Sequence, residues 1–259
     1  MITFNLLNKY TEIAHFCTSR EGGVSVGNYA SFNLSPFSGD NPEKISENYK
    51  ILADKLEIGL DKIIIPYQTH GTEIRAIDET FFKLNAEQKE AFLNGIDALI
   101  TELPSICIGI TTADCVPLLF FDPVKKVIAA AHAGWRGTCG KIAEKTILTL
   151  VEKFNCNTTD ILVTIGPSIS AKVYEAGNEV VTHFENADFD TSEIIIKRNN
   201  SIYLDLWKAN QHLLLKNGIL QEHIEIAGIC TYTLHEEFFS ARRLGIKSGR
   251  MLSGIMLIE

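Results

Sequence analysis

Residues 113–138 read ADCVPLLFFDPVKKVIAAAHAGWRGT. Val116 to Phe121 is apolar enough to form the centre of a sheet, and Asp122-Pro123 reads as a tight turn. Val127 to Ala131 is a second apolar run, and it ends at His132. The stretch predicts two neighbouring strands joined by a turn, with Cys115 opening the first and His132 closing the second. Strands joined by so short a connection lie side by side, so a thiol and an imidazole are expected close together at the open end of the pair.

Outward from this pair, apolar β-branched runs alternate with helical patterns, which predicts an α/β fold. Strands are expected near residues 2–7, 12–18, 62–67, 73–78, 97–101, 106–111, 116–121, 126–131, 160–165, 193–197, 201–204, 224–228 and 251–258. Helices are expected over 41–56, with Asn41 as cap and Pro42 in the first turn, and over 86–94, 138–154, 177–184 and 205–218. In the third of these, Ile142, Ala143, Ile147, Leu150, Val151 and Phe154 share one face, which predicts packing on a sheet. So many strands rule out a simple doubly wound fold, and the short connections demand antiparallel neighbours. No repeat, low-complexity tract or linker divides the chain. The expectation is a single α/β domain over residues 1–259, with a mixed, partly antiparallel layered sheet and outer helices.

Composition narrows the function. The 259 residues carry a net charge of −8, which gives no general electrostatic drive toward nucleic acid or an anionic membrane. No apolar stretch reaches the ~18–20 residues of a membrane helix. The opening residues lack the pattern of a signal peptide, so the protein is expected in the cytoplasm. The six cysteines are then expected as thiols, and none forms a CxxC pair.

A third residue joins Cys115 and His132. In DKIIIPYQTHGTEI, residues 61–74, His70 sits in a short turn between two expected strands. One thiolate and two imidazoles suit Zn²⁺, and three protein ligands leave a coordination position open, as in catalytic rather than structural sites. Cu²⁺ suits the same donors. The spacing is not that of a zinc finger, and an isolated cysteine in an apolar run is more often a small buried hydrophobe. On residue chemistry alone, Cys115 as a nucleophile with His70 or His132 as its base also stays open. Asp114 and Glu73 are the neighbouring carboxylates. Asp114 is a candidate to orient a histidine or move a proton, although strand alternation points it away from Cys115.

The segment after His132 turns through Gly134, Trp135, Arg136 and Gly137 into a helix. A glycine turn at a helix start exposes N–H groups to an anion, with Arg136 adding charge. The pattern is neither a dinucleotide-binding nor a P-loop motif. FCTSREGGVSVGNYASFNLS, residues 16–35, reads as a long functional loop in which Arg20 is a candidate anion contact. FFSARRLGIKSGR, residues 238–250, offers Arg242, Arg243 and Arg250, one to pair with a carboxylate and another to meet a ligand.

Taken together, TSREGGVSVGNYASFNLS, QTHG, DALIT, TTADCVPLLFFD, AAAHAGWRGT, IGPSIS, YEAG and FFSARR followed by SGR resemble the YfiH-like family, also called laccase-domain or multicopper polyphenol oxidase-like proteins. The motifs span nearly the whole chain in order. The resemblance implies a single α/β domain of the kind grouped with cysteine hydrolases. It implies a catalytic zinc on His70, Cys115 and His132. It also implies purine nucleoside chemistry: phosphorolysis of adenosine, inosine and methylthioadenosine, and deamination of adenosine. The expected partners are therefore a purine nucleoside and phosphate. Arg136, with Arg20 or Arg243, is the expected phosphate contact, and Asn33 and Gln68 in the matched motifs are further candidate substrate contacts. Rival readings are an amide hydrolase acting on peptidoglycan precursors, a copper-dependent polyphenol oxidase, and a metal-binding protein without turnover. Seven histidines, two of them in recognisable motifs, are few for the several copper sites of a multicopper oxidase.

Overall fold

The computed structural model describes residues 1–258. Its strands, in chain order, are β1 (Ile13–Cys17), β2 (Ile63–Ile64), β3 (Ile74–Ala76), β4 (Ala98–Thr101), β5 (Cys107–Thr112), β6 (Val116–Asp122), β7 (Val127–Ala133), β8 (Leu162–Ile165), β9 (Glu175–Ala176), β10 (Ile195–Arg198), β11 (Ser201–Leu204), β12 (Ile224–Ile226) and β13 (Met251–Leu257). The helices are α1 (Pro42–Leu56), α2 (Ala86–Leu93), α3 (Trp135–Cys139), α4 (Ile142–Phe154), α5 (Asn178–Asn186), α6 (Thr191–Ile194), α7 (Leu206–Lys216) and α8 (Ala241–Leu244).

The β6–β7 pair is the antiparallel hairpin the sequence predicts. Its turn is held by Asp122, whose Oδ1 accepts the N–H groups of Val124 and Lys125 at 2.9 Å each. Both strands are buried along their whole length, because each face meets a different core. Leu118 and Phe120 of β6 point to one side with Ala129 and Ala131 of β7, where they pack on Ile142, Ala143, Ile147 and Leu150 of α4 and on Leu206, Ala209, Leu213 and Leu214 of α7. Leu119, Phe121, Ile128 and Ala130 point to the other side and meet Ile108 and Ile110 of β5 and Met251, Ile255 and Leu257 of β13.

Two mixed sheets therefore stack face to face. One has the order β12-β8-β6-β7-β4-β3 and the other β1-β13-β5-β2. The second sheet's outer face, with Phe16, Cys107, Leu252 and Met256, is covered by Leu52 and Ala53 of α1. The layers run α1, four-stranded sheet, six-stranded sheet, then α4 with α7, the layered α/β arrangement with outer helices that the sequence predicts. Gly109 of β5 lets the four-stranded sheet close: a Cβ there would meet Leu252 Cδ1 and Ser253 O at 2.9 Å. A small sheet, β10-β11-β9, lies apart from these two.

Two local expectations change, and one short strand is added. Residues 2–7 do not form a strand: Ile2 makes a single bridge to Cys17, and the N–H groups of Asn5 and Leu6 turn aside to the Glu225 carboxylate at 3.1 and 2.6 Å. The helix expected over 138–154 is two helices. Lys141 between them has φ 64°, and a Cβ on Gly140 would stand 2.7 Å from Thr72 Cγ2. β9 is two residues long, too short to leave a periodicity to read. All six cysteines are free thiols. Among the described residues no helix is long and apolar enough to cross a membrane.

Phe120 is fully buried between β6 and the α4–α7 layer. Phe120→Ala is expected to lower unfolding stability by about 3–5 kcal/mol, read as a fall in the urea midpoint. A loss below about 1 kcal/mol would contradict the packing described.

Candidate metal centre

The hairpin register sets the site. Val116 pairs with Ala133 and Pro117 with His132, so Cys115, one residue beyond the ladder, stands across from Gly134. A Cβ on Gly134 would lie 2.9 Å from Cys115 Sγ and 3.3 Å from His70 Cδ2. Only glycine lets the backbone pass so close to both side chains. His70 arrives from the turn before β3, with φ 62°. The ligand atoms of His70, Cys115 and His132 all lie within 4.8 Å of one another. The two imidazole rings meet edge to face, with centroids 4.8 Å apart. Three residues far apart in the chain thus converge, and their donor set, one thiol sulfur and two imidazole nitrogens, fits a single borderline-soft divalent ion.

The carboxylate that organises the trio is Asp97, which the sequence reading did not single out. It is fully buried just before β4, where Ala98 pairs with Ala131, and so it lies beside His132. The His132 N–H donates to the Asp97 carbonyl at 2.8 Å, and His132 Nδ1 meets Asp97 Oδ1 at 2.8 Å. That bond fixes the ring and turns Nε2 toward the other ligands, the usual arrangement behind a metal-binding histidine. The same carboxylate accepts the N–H groups of Thr69, His70 and Gly71 at 3.3, 3.0 and 2.7 Å. Asp97 therefore holds both histidines, one by its ring and one by its backbone. The visible signal was an aspartate opening the strand DALIT, next to a histidine in the adjoining strand.

Electrostatics follow from these contacts. Burial alone pushes the Cys115 thiol up, but the His132 charge and hydrogen bonds from both histidines outweigh it, and the thiol falls to about 6. Burial opposes charge on His132 as well. The Cys115 thiolate and Asp97 outweigh that effect, and His132 rises to about 9. Asp97 stays below its usual range: burial raises it, and the His132 contact and the turn N–H groups lower it further. Both shifts run in the direction that favours a thiolate beside an imidazolium when no ion is bound.

A cavity of about 370 Å³ opens onto the trio. Its walls include Ser35, Phe37, Tyr67, Gln68, Thr112 and Arg250. Phe37 and Tyr67 are half-exposed at 51% and 45% and meet edge to face at 4.7 Å. Gln68 lines the wall, but its amide is bound to β5: Nε2 donates to Thr111 O at 3.0 Å, and Oε1 accepts from Thr111 N at 2.8 Å.

The other expected site residues lie elsewhere. Both oxygens of Asp114 are taken, by the Thr231 hydroxyl and the Arg242 N–H, each at 2.7 Å. It ties the 231–242 segment to the hairpin, while Asp97 occupies the place beside His132. Arg20 donates to Ala30 O at 2.6 Å and His235 O at 2.8 Å, bracing the 16–35 loop. Asn33 is buried and donates to Ser38 Oγ and Asp40 Oδ2, while its own oxygen accepts the Arg250 N–H. Arg136 is exposed and lies over the Trp135 ring at 4.3 Å. The helix after its glycine turn, α3, has only five residues, too few to build a strong dipole. Arg243 is exposed and reaches the Tyr232 hydroxyl at 3.3 Å. Of the cationic candidates in 238–250, Arg250 is the one in the cavity wall.

Comparison with known proteins agrees with this architecture. Residues 14–258 match the family model described as multi-copper polyphenol oxidoreductase laccase. A purine nucleoside phosphorylase of Bacteroides thetaiotaomicron is 44% identical, over 99% of this chain and 96% of its own length. Adenosine deaminase RL5, from an unknown prokaryotic organism, is 38% identical, over 93% of this chain and 92% of its own. The crystal structure of the Bacillus licheniformis hypothetical protein YfiH superposes with a TM-score of 0.89 at 29% identity, over 97% of this chain and 94% of that one.

In metal-free protein, alkylation of Cys115 followed by mass spectrometry is expected to show a midpoint near pH 6, with the reactive thiolate present above it and lost below. Asp97→Asn removes the charge that favours the imidazolium, so the midpoint should move upward. A wild-type midpoint at or above 8.5, the range of an unperturbed thiol, would contradict the thiolate–imidazolium pair.

Proposed function

The chain belongs to the family described as multi-copper polyphenol oxidoreductase laccase, and from that premise we propose that it is a zinc-dependent purine nucleoside enzyme. It carries out phosphorolysis of adenosine, inosine and methylthioadenosine, and deamination of adenosine. Residues 1–259 act as one catalytic domain. The observation that carries the reading is the open three-residue donor set, His70, Cys115 and His132, at the base of a cavity with half-exposed aromatic walls. Relatives named purine nucleoside phosphorylase and adenosine deaminase align over nearly the full length of the chain, which supports the choice of substrate.

His70, Cys115 and His132 would hold the zinc, which would supply a Lewis acid when bound. The rest of the work falls to the chain. Asp97 keeps His132 in one tautomer and holds the His70 turn in place. Phe37 and Tyr67 present flat faces and edges on which a purine can stack. Gln68 stays locked to Thr111 and keeps the wall beside His70 rigid. In phosphorolysis a phosphate oxygen bonds to C1′ as the bond from C1′ to the purine nitrogen breaks. The electron pair leaves with the purine, and the proton of hydrogen phosphate ends on that base. In deamination water adds at C6 and ammonia leaves.

One observation favours this reading over multicopper oxidation, although one cysteine and two histidines also suit copper. Among the described residues, His70, Cys115 and His132 form the single cluster of three such donors. The reading places the chain in the cytoplasm, where nucleosides, phosphate and reduced thiols coexist.

The test is turnover by protein stripped of metal and reloaded with zinc or copper, with adenosine or inosine with and without phosphate. A peptidoglycan precursor and a phenol serve as rival substrates. The expected result is phosphate-dependent release of purine base and phosphate-independent formation of inosine from adenosine, both lost on stripping and restored by zinc. Turnover of only the precursor or the phenol, or activity indifferent to metal removal, would reject it.

A further inference from the structure

Two polar groups in the cavity wall take no part in holding the ligand trio. Arg250 is partly buried, and its guanidinium is wrapped by its own loop. Nη1 donates to Ser248 O at 2.7 Å, Ser248 Oγ at 3.2 Å and Gly249 O at 2.9 Å, and Nη2 donates to Ile246 O at 3.0 Å. All four acceptors are neutral. Among the described residues no carboxylate lies within ion-pair distance of Arg250. The nearby carboxylate, Asp114, has both oxygens committed to Thr231 and Arg242. Burial disfavours the Arg250 cation, and the charges on Cys115 and Asp114 only partly restore it. A guanidinium has five N–H donors in a fork matched to oxyanions, and Arg250 lines the cavity without an ion-pair partner among the described residues.

The second group is Thr112, the last residue of β5. It is 1% exposed, it lines the same cavity, and its hydroxyl has no hydrogen-bond partner. A buried hydroxyl left unpaired is costly, and a ligand oxygen would offset that cost. Both groups sit where β5 ends and β13 begins: Thr112 pairs with Met251, the residue after Arg250, and both residues line the cavity. The arginine is held by its loop and the threonine by its strand, so both are preorganised.

We propose that Arg250 and Thr112 form an oxyanion subsite in the wall of the metal cavity, and that it holds inorganic phosphate. The assignment rests on the phosphorolytic reading for the identity of the anion, and on the unpaired cation and hydroxyl for the existence of the subsite. Arg250 supplies the charge, and Thr112 supplies a hydroxyl that donates to one phosphate oxygen. Together they place the anion in the same cavity as His70, Cys115 and His132, where a phosphate oxygen can reach a nucleoside held at the aromatic wall.

The test is calorimetric titration of the full chain with inorganic phosphate, with and without zinc, alongside the phosphate dependence of phosphorolysis. Arg250→Met is expected to raise both the Kd and the KM for phosphate by about tenfold or more, the loss of a charge-assisted contact. Arg250→Lys should recover part of that loss. Thr112→Val, nearly the same shape, should raise both by about two- to tenfold. Phosphate affinity within twofold of wild type in both Arg250→Met and Thr112→Val would overturn the proposal. So would equal losses of phosphorolysis and of phosphate-free deamination in Arg250→Met, which would mark the arginine as a loop brace only. If the wild type binds phosphate, the variants lose it, and no nucleoside turns over, the subsite stands and the nucleoside reading falls.

Discussion

The Asp97 carboxylate is the contact on which the site depends. It is fully buried, and a buried charge persists only where hydrogen bonds replace water. Asp97 meets that demand with three turn N–H groups and the His132 ring. The same four contacts convert a loop and a strand end into one rigid unit. The location is also physically apt: a negative charge behind an imidazole strengthens it as a donor to a cation in front. Removing the carboxylate group would leave the turn amides unpaired as well as the ring unaligned.

The layered fold explains why this unit sits where it does. The four-stranded sheet on one side and α4 with α7 on the other bury both faces of β6 and β7 and leave the open end of the pair as the place where chemistry can meet solvent. Cys115 and His132 belong to that end by register. The turn carrying His70 and the end of β5 join them, and the 241–250 segment closes the wall with Arg250. Rigid strands hold the reactive groups, and connecting loops shape the cavity in front of them. This division suits a centre that must keep three donors in place while a ligand enters and leaves.

The layered α/β fold was legible in the sequence because hydrophobic periodicity and turn chemistry agree there. Asp122-Pro123 turns where the register requires it, and the apolar face of α4 is the face that packs. The convergence of His70, Cys115 and His132 was legible too, through residue type at strand ends. Asp97 was not, because DALIT by itself does not show that its strand pairs with the one carrying His132, three strands later in the sequence. The arginines misled for a related reason. Arg20, Arg136, Arg243 and Arg250 look alike in one dimension. Only folding reveals that the first is spent on backbone carbonyls, the next two lie on the surface, and the fourth enters the cavity wall. Asp114, with φ 85°, departs from the strand alternation used to orient it, and its two oxygens bond to a segment more than a hundred residues away.

The donor set separates the proposed chemistry from its rivals more sharply than the fold does, since one fold can host many reactions. A single ion in a closed four-ligand cage would be a structural plug, and a chain of coppers would need donors beyond the trio. The most direct measurement is X-ray absorption on zinc-loaded protein, which counts the atoms around the ion. The account predicts one sulfur neighbour at about 2.3 Å and nitrogen or oxygen neighbours at about 2.0–2.1 Å, two of them imidazoles, with the sulfur lost in Cys115→Ser. A shell without sulfur, or one with two or more sulfurs, would contradict it.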